Sequence, residues 1–129
     1  MTFQELRELR GISMEIKRIG ERVYYYLSKT EGVNNIFSTV GGGSKMSDPV
    51  GHYVALSLME SDKLGALYEK RKALDEYISA IPDSITRQIF ALYLIDCMDW
   101  ARIPPHVGDG TMSKEAIWKR YYRYVINCL

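Results

Sequence analysis

Asp83-Ser84-Ile85-Thr86-Arg87-Gln88-Ile89-Phe90-Ala91-Leu92-Tyr93, then Asp99-Trp100-Ala101-Arg102-Ile103, then Ser113-Lys114-Glu115-Ala116-Ile117-Trp118-Lys119-Arg120-Tyr121-Tyr122-Arg123-Tyr124-Val125, is the order of residues that decides the fold. Pro82 ends whatever helix precedes it, because its ring clashes with the preceding turn and it lacks a donor. Asp83 or Ser84 caps the next helix, whose inward face is Ile85, Ile89, Leu92 and Tyr93. Asp99 to Ile103 reads as the opening of a scaffold helix. Pro104 and Pro105 follow at once, so that helix is expected to be short or distorted. Gly108-Asp109-Gly110 breaks the chain, and Ser113 starts a last helix of about 113–126. Three short helices in this order predict a tri-helical helix-turn-helix unit over 82–129.

Upstream, Thr2 and Glu5 have the spacing of a capping box, so a helix is expected to begin at once. Leu9, Ile12, Ile16, Ile19, Val23 and Tyr26 recur at intervals of three and four, an apolar seam expected to end near Lys29. Residues 30–47 are rich in Gly, Ser and Asn and without period, which predicts a flexible loop. Ser47 or Asp48 is placed as the cap of a second long helix, with Pro49 in its first turn, where a missing N–H costs nothing. Leu64, Leu67, Leu74, Ile78 and Ile81 form its seam, interrupted at Arg71. Residues 1–81 are therefore expected to form a coiled-coil-like helical hairpin, packed on itself or on a second copy as a homodimer. No long period-two segment occurs, and the expected fold class is all-α.

With 129 residues, 47% of them hydrophobic, the chain holds one compact domain or a helical arm plus a small one, and a large enzyme is excluded. No run of eighteen apolar residues occurs and the first residues mix charge with apolar side chains, so neither a membrane span nor a signal peptide is expected and the protein is placed in the cytoplasm. Cys97, Cys128, His52 and His106 share no paired-ligand spacing, which argues against a metal site. Gly41 to Lys45 misses the phosphate-loop pattern. The carboxylates are scattered and neither His neighbours a nucleophile in sequence, so no cofactor and no catalytic set are expected. The net charge is only +1, but the cations Lys114, Lys119, Arg120 and Arg123 gather after residue 113.

In the last helix, Ile117, Tyr121, Tyr124 and Val125 lie at i, i+4, i+7 and i+8 and form a buried side. Glu115, Trp118, Lys119 and Tyr122 lie on another side, with Lys114 and Arg123 beside them. A groove-reading helix needs this partition: one side packed on a scaffold, the other free to reach base edges. Trp118 on the outer side asks for a partner surface, a base or a sugar. Trp100 and Ile103 are read as core that joins scaffold and last helix.

Taken in order, Ile81-Pro82, Ile89 to Asp96, Trp100 to Ile103, Val107-Gly108 and Ser113 to Val125 resemble sigma-factor region 4. They resemble more closely the small phage-encoded regulators of late transcription related to it, the RinA-like and ArpU-like proteins. The resemblance implies a sequence-specific DNA-binding transcription regulator of phage or prophage origin, with double-stranded DNA as partner and a contact with RNA polymerase. It implies Ser113 as the cap of the recognition helix and Lys114, Glu115, Trp118 and Lys119 facing the major groove with Tyr122 on the same side. Arg123 would contact phosphate or the polymerase. A rival expectation is a protein-interaction adaptor that uses the aromatics Tyr24-Tyr25-Tyr26, Trp118, Tyr121 and Tyr122 as anchors.

Overall fold

The computed structural model describes residues 1–40 and 49–129, with side chains described for 1–30 and 50–129. Among the described residues the chain is all-helical and has no strand. Helix α1 is Phe3–Val40, α2 is Pro49–Ser79, α3 is Ser84–Phe90 and α4 is Lys114–Asn127. The capping box forms as the spacing predicts: Glu5 N–H donates to Thr2 Oγ1 at 3.1 Å, and Thr2 N–H to Glu5 Oε2 at 2.8 Å. Helix α1 continues well past Lys29, the end expected from its apolar seam. Gly32, Asn34 and Asn35 are weak helix formers, but each costs only about 1 kcal/mol or less, and no proline interrupts the run. The rest of the expected loop and the Ser47 or Asp48 cap lie outside the described residues.

Residues 1–15 and 69–129 form one compact unit and 16–68 another. In the second, Ile16 and Ile19 of α1 and Ser57 and Glu60 of α2 are buried. Glu60 lies 3.8 Å from Arg22 and 3.3 Å from Lys63, and the Tyr26 and Tyr53 rings stack at 6.4 Å.

The first unit carries the core: Leu6 from α1, Leu74 and Ile78 from α2, Ile81, Ile89, Phe90 and Leu94 around α3, and Ile103, Val107, Ile117, Tyr121 and Val125 after it. It is wider than 82–129, because Leu6, Leu74, Ile78 and Ile81 lie in the same cluster as α3 and α4. Asp83 caps α3, its carboxylate accepting from Thr86 N–H at 3.0 Å and Thr86 Oγ1–H at 2.6 Å. α3 runs on into one π-helical turn, Ala91–Ile95, closed by Asp96 N–H donating to Ala91 O at 3.0 Å.

No scaffold α-helix opens at Asp99. Trp100–Arg102 and Pro104–His106 are two separate 3-10 turns, closed by Arg102 N–H to Asp99 O and His106 N–H to Ile103 O, both at 2.9 Å. Pro104 and Pro105 lack the N–H groups an α-helix from Asp99 would need next, and the chain uses the tighter three-residue bonds instead. Gly108 and Gly110 then turn the chain at φ +55° and +82°. At Gly108 a side chain would be crowded as well as strained, since its Cβ would lie 3.1 Å from Ile85 Cδ1.

Candidate functional site

α4 is positioned by its apolar stripe. Ile117, Tyr121 and Val125 are buried and Tyr124 is half-buried, which is the inward side expected from their spacing. Ser113 caps the helix, accepting from Ala116 N–H at 3.1 Å. With that side fixed, Lys114, Glu115, Lys119 and Arg123 are exposed, and none of them has an ion-pair partner among the described residues. Arg120 is different. It donates to Asp83 Oδ2 at 2.8 Å and so ties α4 to the cap of α3. Hydrogen bonds from Thr86, and then the charge of Arg120, hold the Asp83 carboxyl below the usual carboxylate range.

Trp118 is 44% exposed and Tyr122 40%. They stack on one another at 5.1 Å, and Tyr122 stacks in turn on Phe3 at 5.2 Å. A second pile stands nearby: Arg10 over Tyr93 at 4.3 Å, and Tyr93 flat on Trp100 at 4.0 Å. Tyr121 lies edge-on to both Tyr93 and Trp100. Residues of both piles, with Tyr121 and Arg7, line a groove of about 320 Å³. A second groove of about 340 Å³ is lined by Trp100, Lys114, Glu115, Trp118 and Lys119. Trp100 is thus half-buried and shared by the two grooves as well as packed on the core.

The structure brings the sequence-derived residues Lys114, Glu115, Trp118 and Lys119 to one groove and sets Tyr122 in the other, against Phe3. Arg123 lines neither groove, and Ser113 acts through the helix cap. Phe3, Arg7 and Arg10 are additions that no spacing near α4 could reveal, since they come from the first turns of α1. Among the described residues no cluster of His, Cys, Asp and Glu could hold a metal ion, and no helix is long and apolar enough to cross a membrane.

Comparison with protein-family models, with curated proteins and with solved structures gives no match. The chemistry of the surface therefore carries the functional reading.

Proposed function

We propose that the chain is a sequence-specific DNA-binding transcription regulator of the sigma region-4-like kind, of phage or prophage origin, with α4 as its major-groove helix. The observation that carries the reading is the exposed side of α4: Lys114, Lys119 and Arg123 without ion-pair partners among the described residues, beside Trp118 and Glu115 on a helix whose opposite side is buried. Unpaired cations on a capped helix can neutralise backbone phosphates and release the counterions condensed on the DNA without first breaking an internal ion pair. Lys114 or Lys119 on guanine and Glu115 accepting from cytosine are the base contacts their chemistry allows. RNA polymerase is the second partner in this reading.

Selection of a randomised double-stranded DNA pool at about 100 mM salt tests it, because non-specific phosphate attraction is already weakened there. Enrichment of one motif is expected. Lys119→Ala and Arg123→Ala should each flatten the salt dependence of binding by about one unit of slope, and Glu115→Ala should change the enriched motif. A pool that returns unenriched, together with unchanged salt slopes in the variants, would sink the assignment.

A second reading has an observation of its own. The exposed Phe3–Tyr122–Trp118 pile is the kind of aromatic surface that protein partners anchor on, so an adaptor without DNA binding is the alternative. In that case Trp118→Ala would abolish partner capture while the DNA pool stays unenriched.

A further inference from the structure

The groove of about 320 Å³ sits at the small end of ligand pockets, which run from roughly 300 to 1,000 Å³, and it suits a single ring system with a short polar attachment. Its walls include two indoles, Trp100 and Trp118, and exposed Arg7 lines it too. Tyr121 contributes the second observation. It is only 6% exposed, it lines the groove, and its hydroxyl has no hydrogen-bond partner among the described residues. Burial pushes this phenol far above its ordinary range, with Arg7 and Arg10 pulling the other way, so it stays a neutral donor at any physiological pH.

We infer that this groove binds one unpaired nucleotide of a single-stranded nucleic acid, with its base against the Trp100 and Trp118 indoles, a polar edge of the base on the Tyr121 hydroxyl and its phosphate on Arg7. Every base has a π-face for the indoles and a carbonyl or ring nitrogen for a phenol donor. An aliphatic or phenyl side chain from a peptide would fill the same walls, but it would desolvate the Tyr121 hydroxyl and leave it unpaired. The site goes beyond duplex reading by α4, because a base inside a duplex has its faces covered by its neighbours.

The chain's two tryptophans both line this groove, so their intrinsic fluorescence reports it. The test is a titration of the full chain with an oligothymidylate of eight nucleotides, a blunt duplex hairpin, inorganic phosphate, and an acidic peptide containing phenylalanine. The oligothymidylate should quench with an affinity that falls in Tyr121→Phe, whereas quenching by the hairpin, which reaches Trp118 through the outer side of α4, should be the same in wild type and Tyr121→Phe, and phosphate should not quench. Tyr121→Phe keeps the ring packing and should weaken oligonucleotide binding about fivefold, the worth of one neutral hydrogen bond. Trp118→Ala should weaken it about tenfold or more, and Trp118→Phe should recover most of that. Helical circular dichroism verifies that each variant is folded. Absence of quenching at low salt, equal affinities in wild type, Tyr121→Phe and Trp118→Ala, or tighter binding of the peptide than of the oligonucleotide would each overturn the assignment. Arg123→Ala separates this site from the duplex reading: Arg123 lies outside the groove, so its loss should weaken duplex binding and leave oligonucleotide quenching intact.

Discussion

Tyr77 is a residue whose environment works against it. Its hydroxyl is buried without a hydrogen-bond partner among the described residues, its ring packs on Phe90 at 6.0 Å and on Tyr124 at 6.2 Å, and burial pushes its pKa up to about 12. Tyr77→Phe removes the desolvated hydroxyl and keeps the ring, so it should stabilise the chain by about 1 kcal/mol, read as a higher urea midpoint at unchanged m-value. Asp83 works the opposite way. Its carboxyl is held below its ordinary value of 3.8, so the stability it contributes is present above that value and is lost as pH falls through the lower, folded-state value. Melting temperature should therefore drop on acidification below roughly pH 4, and Asp83→Asn should make that limb shallower. The limb should not vanish, because Asp109, bonded by Thr111, shifts in the same direction. The caps at Thr2 and Ser113 were legible in the sequence because each partner lies three residues away, and between Asp83 and Ser84 the structure selects Asp83. The burial of Tyr77 depended on partners from α3 and α4, which no local spacing announces.

At the scale of elements, the end of the π turn is held by α1. Arg10 Nε donates to Tyr93 O at 2.9 Å, and its Nη2 donates to Cys97 O at 3.2 Å and Met98 O at 3.3 Å. Tyr93 O is one of the carbonyls that a terminating helix leaves without a partner, Cys97 O and Met98 O lie just past its end, and one guanidinium bonds all three. Cys97 takes the left-handed conformation at φ 58°, where a glycine would ordinarily mark a helix end. The sequence therefore lacked its usual stop signal between α3 and the 3-10 turns. Arg10→Met should destabilise by about 2 kcal/mol, since charge-assisted bonds are lost and carbonyls are left unpaired. Hydrogen exchange should quicken first over 93–98. The substitution of two 3-10 turns for the expected scaffold helix follows from Pro104 and Pro105, whose effect was readable in direction but not in extent.

For the whole molecule, the decisive fact is that the unit holding α4 is discontinuous in sequence. A fragment of residues 82–129 carries the caps and the α4 stripe but lacks Leu6, Leu74, Ile78 and Ile81, all buried in the same core. It should show little helix by circular dichroism and no cooperative melt, whereas the full chain should melt cooperatively. A fragment of 69–129 restores three of those side chains and still lacks Leu6 and the Arg10 clamp, so it should remain less stable than the full chain. The sequence by itself determined the all-helical class, the starts of α1 and α4 and the two sides of α4, because capping and 3.6-residue periodicity act within one or two turns. The tertiary structure alone decided that Phe3 and Arg7 line one groove with Trp100, Trp118 and Tyr121, and that Arg10 stands over Tyr93. Those neighbours are more than eighty residues apart along the chain, and burial of shared apolar surface, which is blind to sequence distance, is what brings them together.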